Sequence, residues 1–180
     1  PIPYWVPPHR MMIIESDTDP WGDEWRPGRN FRTVAELFTK RNLWALAMLR
    51  HRSRRLGNDA LLFAFQGNIL SGTIMQQYRE AGGGFAKGTY YIPQVYIERE
   101  QLACLARKVG DVVAGQLAVT SALEAPNVII STQSATDLSH LEDNSADYVF
   151  TDPPYAGKVQ YGELNFIWEA WMEFCTDWYD

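Results

Sequence analysis

The stretch Asp147-Tyr148-Val149-Phe150-Thr151-Asp152-Pro153-Pro154-Tyr155 reads as a short apolar strand running into a proline-locked corner. A second apolar run, Asn127-Val128-Ile129-Ile130-Ser131-Thr132, follows Pro126, and the turn residues Glu142-Asp143-Asn144-Ser145 lie between the two. Short continuous apolar strands fed by helices suit a parallel sheet, whose strands are covered on both faces. The expected class is therefore α/β, with part of a parallel sheet near the end of the chain.

Upstream of 125 the pattern is mainly helical. Thr33-Val34-Ala35-Glu36 has capping-box spacing, in which the hydroxyl accepts from a backbone amide and the carboxylate reaches back. A helix is expected from there to about Arg55, with Leu37, Trp44 and Met48 on its apolar side, joined by Phe38, Ala45 and Leu49. Gly57-Asn58 ends it, and Asp59 opens a second helix with Leu62, Phe65, Ile69 and Thr73 on one side, a helical hairpin. Gly67 and Gly72 either weaken that helix or permit close packing on its predecessor. Thr89-Tyr90-Tyr91-Ile92-Pro93 is extended by composition. A third helix is expected over about 98–123, with Leu102, Leu105, Val109, Val112 and Val113 inward, and an aromatic helix from Glu163 to about Trp178 closes the chain. Pro1, Pro3, Pro7, Pro8, Pro20 and Pro27 forbid a long helix in the opening segment, which is expected to wrap over the domain through Tyr4, Trp5, Trp21 and Trp25. Three parts follow: a wrapping segment 1–32, a helical region 33–124 and a sheet-bearing part 125–180.

The 180 residues, 46% hydrophobic and 21% charged, hold enough apolar mass for one core. No apolar run approaches the roughly 18 residues that span a bilayer, so no membrane partner is expected. The chain opens on Pro1 without a signal segment and reads as a piece of a longer polypeptide, whose remainder is an expected partner. Cys104 and Cys175 are too few for a disulfide framework or a four-cysteine zinc site, which points to a reducing, cytoplasmic setting. His9, His51 and His140 show no ligand spacing, and no metal is assigned.

Charge is unevenly placed. Residues 1–100 carry 13 Lys and Arg against 10 Asp and Glu, whereas residues 101–180 carry 3 against 12. The cations cluster at Lys40, Arg41, Arg50, Arg52, Arg54 and Arg55. If a polyanion is the partner, this half meets it, because nucleic-acid affinity comes largely from cationic side chains. A solvated helix face has the same composition.

The corner carries the chemistry. In an open α/β sheet, ligands bind beyond the carboxyl ends of the strands. Asp152 and the carbonyls of two consecutive prolines supply acceptors, and Tyr155 supplies a flat ring. That set suits a planar substrate with an amino group. The amine donates to Asp152 and to the Pro153 carbonyl, so its lone pair faces outward toward an electrophile.

Asp152-Pro153-Pro154-Tyr155 after an apolar strand resembles the catalytic motif of the amino-group DNA methyltransferases, which modify adenine N6 or cytosine N4. Leu37-Phe-Thr-Lys-Arg-Asn-Leu43, Gly88-Thr-Tyr-Tyr-Ile-Pro93 and Tyr161-Gly-Glu-Leu-Asn-Phe-Ile-Trp-Glu-Ala-Trp171 are similar to segments of large bacterial adenine-specific DNA methylases. The resemblance implies a partial Rossmann-like methyltransferase sheet, S-adenosylmethionine as methyl donor, DNA as partner and a target base rotated out of the duplex. It places catalysis on Asp152, Pro153, Pro154 and Tyr155. It also places cofactor contact on Ser134 or Asp137, near the end of the first strand, although Asp137 suits a helix cap equally well. DNA contact is expected from Lys40, Arg41, Arg52, Arg54, Arg55 and Lys158, with restriction-modification as one setting.

Two family features have no counterpart. The glycine-rich strand-to-helix turn that binds the cofactor is missing, and Gly82-Gly83-Gly84 precedes an extended segment instead of a helix. The acidic residue expected on the cofactor ribose is missing too. The alternatives are therefore transfer to cytosine N4, RNA adenine or a glutamine amide, or an inactive helical binding module. Asp152 favours adenine, since cytosine-directed motifs more often begin with Ser and glutamine-directed ones with Asn.

Overall fold

Helices carry the fold. The computed structural model describes residues 1–9, 33–80, 83–85, 92–122, 136–152 and 161–174. Within these, α1 spans Lys40–Leu56, α2 Asp59–Asn68, α3 Gln101–Ala122 and α4 Tyr161–Met172. The strands β1 (Gln76–Gln77) and β2 (Gly84–Phe85) pair antiparallel, Gln76 opposite Phe85.

The first helix starts later than the capping-box spacing predicts. Val34–Leu37 forms only a short 3-10 turn, and the Thr33 side chain caps nothing. Phe38 and Thr39 are extended, and Phe38 bridges Thr73 while the Leu37 carbonyl accepts from the Ile74 amide at 2.9 Å. Burying Leu37 and Phe38 against that crossing strand interrupts the helix, and Thr39 becomes the real cap, accepting from the Asn42 amide at 3.2 Å. Gly57 ends α1 in the left-handed region at φ 58°, which a residue with a side chain adopts only under strain. Asn58 then caps α2 by accepting from the Leu61 amide at 2.9 Å.

The inward side of α1 is Leu46, Ala47, Leu49, Arg50 and Ser53, while Trp44 stands half exposed on the other side. The Phe65, Ile69 and Thr73 side of the second helix is buried as its spacing indicates, with a 3-10 turn over Ile69–Gly72 extending it. In α3 the expected stripe holds at Leu105, Val109 and Val112, which pack on the core, and fails at its edges. Leu102 and Val113 are 60% and 48% exposed, and Gln101, Cys104 and Leu105 face in. The reason is polar: the Gln101 side chain carbonyl accepts from Asn68 Nδ2 at 3.3 Å, and its amide donates to the Arg99 carbonyl at 2.8 Å. Asn42 Nδ2 donates to the Gly72 carbonyl at 3.1 Å, so buried amides tie the turn after α2 to both α1 and α3. The buried amide side chains of Asn42, Asn68 and Gln101 are thereby paired, as burial requires.

Gly72 lies at that junction. A Cβ there would stand 2.6 Å from Leu46 Cδ1 and 3.1 Å from Gln101 Oε1, so only glycine lets the turn approach α1. Gly72→Ala is expected to lower stability by roughly 1–3 kcal/mol, the range for overpacking. Urea unfolding followed by circular dichroism measures it, and an unchanged midpoint would contradict this packing.

α4 supplies the centre of the core. Trp171 is fully buried, with the Phe38, Phe65 and Trp5 rings set edgewise at 5.5, 6.1 and 6.4 Å. Phe166, Ile167 and Ala170 bury beside it. Tyr4 and Trp5 pack on this core, as expected for the wrapping segment, while Trp21 and Trp25 lie outside the described residues. The helix ends at Met172, before the expected Trp178, where Glu173 turns to φ 58°.

The helical part agrees with the expected class; the parallel sheet does not appear among the described residues. The run 127–132 lies outside them. Residues 147–151 form no strand, and Tyr148, Val149 and Phe150 are 80%, 73% and 81% exposed. An apolar run becomes a buried strand only when neighbouring strands and helices cover it, and no described element does so here. No helix of the described residues is long and apolar enough to cross a membrane.

Candidate catalytic corner and nucleic-acid interface

Asp152 is exposed at the end of the apolar run 147–151. Pro153, Pro154 and Tyr155 lie outside the described residues, as do Ser134, Lys158 and Cys175. The chain is described again at Tyr161, where α4 begins, so the helix that follows the corner is the one holding the core together.

That helix is fastened at its C-terminal end. Arg50, almost fully buried, donates Nε to the Trp171 carbonyl at 2.7 Å and Nη2 to Glu173 Oε2 at 2.5 Å. Its guanidinium also lies 3.9 Å from the Trp5 ring centre. Arg54 donates to the same carboxylate oxygen at 2.6 Å and to the Met172 carbonyl at 3.0 Å. Two cations thus satisfy the last carbonyls of α4, where the helix dipole favours positive charge. Near its middle, Trp168 Nε1 donates to the Gln66 carbonyl on α2 at 3.1 Å.

Burial pulls Arg50 below its ordinary arginine pKa, against the hydrogen bond and charge of Glu173. For Glu173, partial burial works toward the neutral form, but the hydrogen bond and charge of Arg50, with the charge of Arg54, hold its carboxyl below the ordinary carboxylate value. A depressed folded value means that this carboxylate contributes stability above its unfolded pKa of about 4.3. The contribution fades as pH falls through the lower folded value. Glu173→Gln is therefore expected to flatten the acid limb of a melting-temperature profile below about pH 4. Parallel acid limbs for parent and variant would contradict the clasp.

The expected DNA-contacting cations divide. Arg54 anchors α4 through Glu173 and the Met172 carbonyl, and its side chain is 43% exposed. Arg41 pairs with Glu98, Nη2 to Oε2 at 2.8 Å, and the Thr39 hydroxyl donates to the same carboxylate. Its guanidinium remains largely exposed, so it can also face a polyanion. Lys40, Arg52 and Arg55 are exposed and make no ion pair among the described residues.

Asp137 is exposed and accepts from the Ser139 amide at 3.0 Å. The side-chain and backbone hydrogen bonds of Ser139 hold its carboxyl below the ordinary aspartate value. Residues 138–152 contain no helix, so Asp137 braces a turn instead of capping a helix. A carboxylate has acceptor capacity beyond one bond, so this brace is compatible with accepting from a cofactor amine.

Sequence reasoning missed Arg50 as an anchor, along with its acceptor Glu173. The charge gave no signal, because Arg50 sits in the same run as the exposed arginines; its helical phase, four residues after Leu46, is the cue that separates it. A groove of about 1230 Å3 also runs between α2, α3 and α4, lined by Phe63, Val112, Val119 and Trp168 among others. Asp152 does not line it. No family model, no curated protein and no solved structure matches the chain.

Proposed function

We propose that the chain is the motif-bearing portion of a DNA methyltransferase that acts on adenine N6. The single observation carrying this reading is Asp152-Pro153-Pro154-Tyr155 at the end of an apolar run. The exposure of Asp152, and a following helix anchored to the core by Arg50 and Trp171, support it. Asp152 and the Pro153 carbonyl accept the two hydrogens of the exocyclic amine and aim its lone pair away from the ring. Tyr155 holds the ring by stacking, and Asp152 offsets the positive charge that grows on nitrogen before the surplus proton passes to solvent. S-adenosylmethionine, when bound, would supply the electrophilic methyl carbon and depart as the neutral thioether once the methyl–sulfur bond breaks, with Ser134 or Asp137 as the residues toward its adenine.

Calorimetric titration of S-adenosylmethionine into the chain tests the reading. Saturable binding that weakens in Asp137→Ala supports it. Absence of binding favours the second reading, a helical nucleic-acid-binding module, which has one observation of its own: the described residues are helices with a cationic face and no parallel sheet.

A further inference from the structure

The exposed side of α1 is a cationic strip with one aromatic residue set into it. At about 100° per residue, Lys40, His51, Trp44, Arg55, Arg41 and Arg52 fall within an arc of roughly 120°. All six are exposed, and Trp44 is 49% exposed. The opposite arc is buried through Asn42, Leu46, Leu49, Arg50 and Ser53. A solvated helix face mixes charge signs, because opposite charges three or four residues apart stabilise a helix and like charges destabilise it. α1 contains no acidic residue at all, and Arg52 and Arg55 stand three apart with no acidic neighbour on the helix. The strip therefore works against the helix it sits on, which points to an anionic partner outside the helix.

Geometry narrows the partner. The apolar side of α1 is already packed in the core, so the helix has no face to sink into a lipid surface. The cations form two groups, Lys40 with Arg41 and Arg52 with Arg55, about 18 Å apart along the axis at 1.5 Å per residue. With flexible arms, that separation reaches the phosphate ridges on both sides of a major groove about 12 Å wide. Trp44 lies between the groups, and Tyr4 braces His51 with ring centres 5.4 Å apart.

We propose that this face of α1 docks on duplex DNA, with Lys40 and Arg41 at one phosphate ridge, Arg52 and Arg55 at the other, and Trp44 over the groove. It takes from the methyltransferase reading only the class of partner. The test is anisotropy of a labelled mixed-sequence duplex titrated with the chain over a series of salt concentrations, without cofactor. Each neutralised phosphate contact lowers the slope of log affinity against log salt by about 0.9. Lys40→Gln, Arg52→Gln and Arg55→Gln combined should flatten it by about 2.7, whereas Arg107→Gln, an exposed cation on α3, leaves it unchanged. Trp44→Ala should leave that slope unaltered, because the indole neutralises no phosphate.

A triple variant with the parent slope and native circular dichroism overturns the proposal. So does an equal flattening by Arg107→Gln, no duplex binding by the parent chain, or tighter binding of a single-stranded RNA of the same length. Methylation that depends on Asp152, combined with an unchanged slope in the triple variant, sinks the strip alone. A flattened slope with no methylation sinks the enzyme reading alone.

Discussion

Asp152→Ala is expected to abolish methyl transfer, a loss of at least about a thousandfold, while leaving the helical core intact. A single preorganised acceptor or donor aimed at developing charge is worth on the order of 100- to 1000-fold. In the proposed reaction Asp152 would do more than stabilise charge, since it would also fix the direction of the amine lone pair, and misplaced reactants lose further rate. Its exposure at the end of 147–151 means that truncation opens no cavity and strands no buried partner. The measurement is transfer of labelled methyl to DNA by the protein that contains the chain, with thermal melting in parallel. Full activity in the variant, or collapse of the fold with it, would contradict the role. Asp152→Asn separates the two contributions, because an amide can still accept the amine hydrogen but carries no charge.

Trp171→Ala is the substitution with the largest expected effect on stability, a loss of roughly 3–5 kcal/mol. The side chain is fully buried among Trp5, Phe38 and Phe65, and its carbonyl is the acceptor for Arg50. Removing the indole leaves a cavity where the wrapping segment, α1, α2 and α4 meet, and the surrounding rings cannot all move to fill it. Trp171→Phe keeps most of the contacts and should lose less than half as much. It also removes the indole Nε1, which has no hydrogen-bond partner, so no paired bond is lost with it. Urea unfolding gives both values. A loss below about 1 kcal/mol for Trp171→Ala would show that α4 is not the centre of the core.

The two substitutions separate chemistry from architecture, and the same division explains what could be read from the sequence. Elements fixed by local chemistry were legible: Gly57 and Asn58 between two helices, the Phe65, Ile69 and Thr73 side, and the docking of Tyr4 and Trp5. Elements fixed by distant partners were not. Thr33 and Glu36 satisfy a local capping pattern, yet pairing of Phe38 with Thr73 displaces the helix start by several residues. Gln101 looks like a surface residue until Asn68 and Ser71 are placed beside it. Apolar character at Tyr148, Val149 and Phe150 suggested a buried strand, but burial belongs to whatever covers a strand and not to its own residues. At the candidate site, the proposal for Asp152 rests on its neighbours in sequence. The roles of Arg50 and Arg54 were hidden, because Glu173 lies more than a hundred residues away and its acceptor geometry appears only when α4 folds back on α1.

Direct transfer of a methyl group to an exocyclic amine is the central claim, and isotope labelling tests it most directly. Duplex DNA carrying nitrogen-15 at adenine N6 is incubated with the protein and carbon-13 methyl-labelled S-adenosylmethionine, and the recovered nucleosides are examined by NMR. The account predicts one-bond carbon–nitrogen coupling in N6-methyl-2′-deoxyadenosine, absent with Asp152→Ala. Label found on cytosine, or on no base at all, would contradict it.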